Sequence, residues 1–141
     1  MTRKGTYVLE ARLDSDKALG VGALGEILFP AGTYCYAGSA MGGLDARIGR
    51  HMSRDKKARW HIDRLTLAAD LLRAYESSVP ECLLAEILRE AGGEPFAPGF
   101  GCSDCRCATH LFRMGGGSMA ALAADPRLKA RADAPGPAQP L

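Results

Sequence analysis

The chain has 141 residues, 47% of them hydrophobic, and a formal net charge of +2 at pH 7. That length indicates one domain, able to bury roughly two-thirds of its unfolded surface in a self-supporting core. No segment approaches the roughly 20 apolar residues of a membrane helix, and Met1–Gly5 leads into a strand-like run without an apolar signal-peptide core, so a soluble cytoplasmic protein with no membrane partner is expected.

Thr6 to Leu13 alternates, with Tyr7, Leu9, Ala11 and Leu13 on one face and Thr6, Val8, Glu10 and Arg12 on the other, which predicts a strand. A turn at 14–17 follows. Residues 21–29 contain Gly22 and Gly25 and read as an irregular, bulged second strand. Pro30-Ala31-Gly32 turns the chain into a strand over 33–37, where Tyr34 and Tyr36 alternate. Connections this short require an antiparallel meander.

A break of small residues, Gly38 to Gly43, precedes a helix from Leu44 to about Met52 with an apolar stripe of Leu44, Ile48 and Met52. Arg47 and His51, four residues apart, share a face, and the stripe places them with Arg50 off the core side or at its edge. A short helix begins at Trp60. Residues 71–77 suit either a continued helix or a strand, and the strand is favoured. Pro80-Glu81 opens the clearest helix, since Pro suits a first helical position and acids suit the first turn; Gly92-Gly93 stops it. Residues 94–109 are loop-rich, 110–114 form a last strand, and Ser118 caps a short alanine-rich helix to about Ala124. The domain is expected to span 1–129, with a disordered Pro-rich tail over 130–141.

Arg47, Arg50, Arg54, Lys56, Lys57, Arg59 and Arg64 fall within eighteen residues, answered by Asp45, Asp55 and Asp63. Such a cluster suits a phosphate backbone, and a solvated helix face explains it equally well. Trp60 and His61 add an aromatic that can stack on a base and an imidazole beside it, or they form a capped, partly buried helix start, which is the favoured reading.

The five cysteines are an odd set unlike a disulfide framework and suit a reducing compartment. Cys102, Cys105, Cys107 and His110 could bind Zn2+ as a tetrahedral set. The one-residue gap between Cys105 and Cys107 is awkward for a single site, however, and packed free thiols are the favoured reading. Cys82 or His61 could supply a remote ligand.

Taken together, Gly5-Thr6-Tyr7 on the first strand, Tyr36-Ala37-Gly38 ending a later one, Arg47 and His51 on the next helix, and a downstream helical Glu resemble the GIY-YIG nuclease superfamily. More narrowly, Gly38-Ser39-Ala40, Trp60-His61-Ile62-Asp63, Glu81-Cys82, Ser103-Asp104-Cys105-Arg106-Cys107 and His110-Leu111-Phe112 resemble the branch catalogued as domain of unknown function 123. The sequence contains no Asn, so the superfamily's late Asn has no counterpart.

The resemblance implies a small α/β (α+β) domain, a mainly antiparallel central sheet flanked by helices, and metal-dependent DNA endonuclease activity in repair or processing. Under it Arg47 would bind the scissile phosphate as a bidentate fork, and Glu81 would hold one Mg2+ or Mn2+, with Glu86 one turn away as the alternative ligand. Tyr7 would help deprotonate the attacking water, Tyr36 would position it, and His51 would relay the proton or contact the phosphate. Arg50, Arg54, Lys56, Lys57, Arg59, Trp60, His61 and Arg64 would hold DNA. Some relatives of the branch are joined to endonuclease III-like enzymes, which implies a base-excision-repair glycosylase as a partner. The alternative is a non-catalytic nucleic-acid-binding accessory module, zinc-stabilised or not, on the same fold.

Overall fold

In the computed structural model, which describes residues 4–101 and 109–131, β1 (Gly5–Leu13) is the strand around which the rest assembles. It pairs antiparallel with β4 (Gly32–Ala40) on one side and β5 (Leu71–Ser77) on the other. Numbering the remaining strands in chain order gives β6 (Glu94–Pro95), β7 (Leu111–Met114) and β8 (Lys129–Ala130), and the six-stranded sheet runs β6-β7-β4-β1-β5-β8. Every pairing in it is antiparallel.

The alternation of β1 has the expected phase, but both faces are covered. Tyr7, Leu9, Ala11 and Leu13 belong to a core closed by α1 (Leu44–Met52) and α2 (His61–Ala68), through Leu44, Ile48, Ile62 and Leu65. Val8 belongs to a second core closed by α3 (Glu81–Glu90) and α4 (Gly116–Ala123), through Leu84, Ile87, Leu88 and Leu122. Glu10 is buried on this second face, where Tyr75 Oη donates to its carboxylate at 2.8 Å. The result is a mainly antiparallel central sheet between helices, an α/β domain of the expected class. Among the described residues no helix is long and apolar enough to cross a membrane.

Four local expectations are corrected. Residues 21–29 are not one bulged strand. β2 (Lys17–Gly20) and β3 (Glu26–Phe29) form a separate two-stranded ladder, joined through a 3-10 turn at Gly22–Leu24. β4 continues through Gly38, Ser39 and Ala40 because those residues stay in register with Tyr7, Thr6 and Gly5, so the break shrinks to residues 41–43. Ser118 lies inside α4, which starts at Gly116 with Gly115 at its N-cap and no side-chain cap bond. Finally, Ala130 pairs with Tyr75, and Arg131 bonds to Glu76 and Asp45 at 2.8 and 2.6 Å, so the ordered chain reaches beyond 129. Residues 132–141 of the expected tail lie outside the described residues.

Candidate active site at the end of strands β1 and β4

The site is built where β1 begins and β4 ends. Residues opposite one another in an antiparallel pair share a face, and diagonal neighbours two residues away are within reach of aromatic side chains. Tyr7 faces Gly38, while Tyr36 faces Leu9, so Tyr7 and Tyr36 are diagonal neighbours on the α1 side. Tyr34 shares that face but is a core residue, fully buried against Phe29 and Phe96.

Gly38 makes room for Tyr7. A Cβ there would stand 2.4 Å from Tyr7 Oη and 2.5 Å from Cζ, inside any real contact. Gly38→Ala should therefore displace the tyrosine ring and destabilise the fold by roughly 1–3 kcal/mol, the usual cost of overpacking. Urea unfolding would check this, and a loss below about 0.5 kcal/mol, within the range of an ordinary surface change, would refute the packing argument. Gly101 plays a similar part for Tyr36: its φ of +73° is in the left-handed region, and a Cβ would meet Tyr36 Cε1 at 2.7 Å. Tyr36 is half-buried, with its ring edge-on to Phe100 at 6.0 Å between centroids.

His51 is not at the edge of the helix stripe. It is buried, 1% exposed, with Nε2 2.7 Å from Tyr7 Oη. Burial, with the Lys56 ammonium as a second cause, lowers its pKa to about 3. The imidazole is thus neutral near pH 7, and with its hydrogen on Nδ1 it accepts the phenolic hydrogen at Nε2. Its Nδ1 has no partner among the described residues. Burial also pushes Tyr7 up to about 12, against the opposing effect of a hydrogen bond and positive charge from Arg47. Free phenolate is therefore negligible at neutral pH, and Tyr7 can move a proton only by passing its own to His51.

Arg47 crosses the end of the sheet. Its Nη1 donates to the Ser39 carbonyl at 3.0 Å, and its guanidinium lies 4.7 Å from the centroid of the Trp60 ring. β7 pairs with β4 only between Thr33 and Tyr36, so this stretch of β4 is clear of the neighbouring strand. Glu81, the first residue of α3, approaches from the opposite face of the sheet. Burial would raise its pKa, but hydrogen bonds from His110 and Ser39, then the charges of His110 and Arg47, outweigh that and lower it. Glu81 is therefore an ionised carboxylate with 28% of its side chain exposed, and its charge is felt at Tyr7. Glu86 instead pairs with Arg89 on the outside of α3. Arg47, Tyr7, His51 and Glu81 thus converge, with Tyr36 beside them.

Much of the basic segment is used internally. Arg50 donates to both oxygens of Asp63, at 2.8 and 3.0 Å, and lies 4.3 Å from the Trp60 centroid. Arg54 donates to the Thr66 carbonyl, and Lys56 Nζ to the carbonyls of Arg50 and His51 and to Thr66 Oγ1. These three cations tie the loop between α1 and α2 together rather than forming a free stripe; Lys57, Arg59 and Arg64 are exposed. The Trp60 ring is likewise engaged by guanidinium groups, not presented bare to a base. His61 Nδ1 accepts the Gly101 N–H at 3.2 Å and has a structural part.

Sequence reasoning missed Asp63 as the organiser of this loop. It is fully buried and accepts from Arg50, Arg59 N–H and Trp60 N–H. Burial would raise its pKa, but those bonds outweigh it and hold the carboxyl at about 2. The available signal was an acid three residues after an N-cap, where it can bond back to the cap N–H.

Of the zinc set, Cys102, Cys105 and Cys107 lie outside the described residues. His110 is fully buried, with Nδ1 2.8 Å from Glu81 Oε2 and Nε2 3.9 Å from Cys82 Sγ. Among the described residues no group of three or more His, Cys, Asp or Glu side chains could hold a metal. The sequence pattern of a family described as "Domain of unknown function DUF123" matches residues 6–128. No curated protein and no solved structure matches the chain.

Proposed function

Because the chain belongs to the DUF123 family, whose description assigns no activity, we propose a function from the site itself: divalent-metal-dependent hydrolysis of DNA phosphodiester bonds in the manner of GIY-YIG nucleases. One observation carries this reading. Arg47, Glu81 and the Tyr7–His51 pair come from two helices and a strand, on both faces of one sheet, and meet where Gly38 leaves space.

Phosphodiester hydrolysis needs charge stabilisation at the phosphate, a deprotonated nucleophile and help for the leaving oxygen. Arg47 would bind the phosphate through guanidinium N–H groups not spent on Ser39 or Tyr7. In the Tyr7–His51 pair, Tyr7 Oη would accept a proton from the attacking water while its own hydrogen passes to His51 Nε2. Tyr36 would help place that water. The donor set fits a hard cation that Glu81 would hold through its ionised carboxylate, and among the described residues no group of side chains offers an all-protein cage. When bound, Mg2+ or Mn2+ would supply charge neutralisation at the phosphate. DNA outside the site would meet Lys57, Arg59 and Arg64, giving binding that weakens with salt.

A second reading keeps its support: burial of Tyr7 and His51 also suits a structural pair in a non-catalytic nucleic-acid-binding module. Purified protein with Mg2+ or Mn2+ should nick single-stranded, flapped or duplex DNA, and chelation should stop it. Inactivity on all three, or nicking that survives both Arg47→Ala and Glu81→Ala, would decide against catalysis. A base-excision-repair setting, with a glycosylase as partner, belongs to the same proposal and would be tested by co-purification.

A further inference from the structure

His110 was drawn into a zinc set by its neighbours in sequence, yet its imidazole points at the candidate catalytic carboxylate. The backbone fixes it there. The His110 N–H donates to the Phe100 carbonyl at 2.9 Å, and its own carbonyl accepts the Ala37 N–H at 3.0 Å, just beyond the last β4–β7 pair at Tyr36 and Leu111. The side chain is fully buried, and its two ring nitrogens meet two consecutive residues of α3: Nδ1 lies 2.8 Å from Glu81 Oε2, and Nε2 lies 3.9 Å from Cys82 Sγ.

We propose that His110 is a positioning residue for Glu81, orienting its carboxylate toward Arg47 and a bound divalent cation. Glu81 opens a helix, where the nearest donors are the helix's own free N–H groups. A carboxylate there tends to fold back on its helix, and its side chain has rotamer freedom to do so. The 2.8 Å approach of Nδ1 to Oε2, with the hydrogen bond from Ser39, holds the group across the strand ends instead. A ligating carboxylate depends on such outer partners as strongly as a ligating imidazole does. The inference rests on the proposed nuclease reading and adds to it a residue from the C-terminal part of the domain.

The test compares His110→Asn with His110→Gln. The Asn amide nitrogen can take the place of Nδ1 and keep the bond to Glu81; the Gln amide nitrogen takes the place of Nε2 and loses it. The readouts are Mn2+ affinity by calorimetry, single-turnover nicking, KM for DNA and thermal melting. His110→Gln should weaken Mn2+ binding and slow nicking by roughly 10–100-fold, the usual effect of removing an outer partner, with KM for DNA unchanged and with His110→Asn restoring most of the loss. Equal losses in both variants, or Mn2+ binding and nicking by His110→Gln at the wild-type level, would overturn the role. If neither variant folds, wild-type protein labelled at histidine decides: Mn2+ should broaden the His110 ring resonances at substoichiometric metal, and unaltered resonances in a protein that binds Mn2+ would overturn it. Wild-type protein that neither binds Mn2+ nor nicks DNA removes the nuclease reading, and this role with it; wild-type nicking with an unaffected His110→Gln removes this role alone.

Discussion

Arg47→Lys is expected to lower the nicking rate by roughly 10²–10³-fold, the effect of losing an oriented donor to developing transition-state charge, while changing KM for DNA only slightly. The substitution keeps the positive charge and removes the geometry. Arg47 already gives Nη1 to the Ser39 carbonyl and packs against Trp60, so one edge of the guanidinium is used to hold the other in place. A lysine has a single nitrogen for both tasks. It can reach the carbonyl or the phosphate, and it cannot present the two parallel donors that match two phosphate oxygens. Single-turnover cleavage of a supercoiled plasmid at saturating protein measures this directly. A Lys variant within about fivefold of wild type would mean that Arg47 supplies charge alone, and the site would then need another source of transition-state stabilisation.

The contrast between Arg47 and its neighbours shows what the sequence could convey. Strand β1 was readable because its period-two pattern directly reflects which side each residue faces. The same pattern did not reveal that both faces are covered, with Glu10 and Thr6 satisfied in the interior by Tyr75 and the 77–79 backbone. Helix α1 was placed correctly, but His51 was not. It follows Ile48 by three residues and so lies within the apolar stripe; a polar side chain there is read as an edge residue unless its partner is known. That partner, Tyr7, is 44 residues earlier. The basic segment misled for a related reason. Composition counts cations without showing which are spent, and Arg50, Arg54 and Lys56 are spent on one carboxylate, one hydroxyl and several carbonyls of α1 and α2. Glu81 is preferred over Glu86 through the family-like Glu81-Cys82 pair, because a helical repeat that places the two little more than one turn apart does not say which side of α3 meets the sheet end.

The buried imidazole has a second consequence, in acid stability. In the unfolded chain His51 takes up a proton near pH 6.5, whereas in the fold burial beside Lys56 delays uptake to about 3. Between those values the unfolded state binds the proton and the folded state excludes it, so stability falls as pH falls and the loss is complete below the folded value. Within that window one such group contributes up to about 1.4 kcal/mol per pH unit, or roughly 2–3 kcal/mol over the first two units. Asp63 acts lower down: its folded value near 2 lies below the ordinary carboxyl value, so its stabilisation is full above about pH 4 and disappears as pH drops toward 2. Urea unfolding at pH 7.5, 6.5, 5.5 and 4.5 should therefore show a steep decline for wild type and a shallower one for His51→Gln, whose side chain does not titrate. The slope is the informative quantity, because Gln also disturbs the bond to Tyr7 at every pH and shifts the whole curve. If the two slopes agree between pH 6.5 and 4.5, His51 is protonated in the fold near its ordinary value. It would then be neutral, and able to accept the Tyr7 hydrogen, only above about that pH, and nicking should fall as pH drops through it.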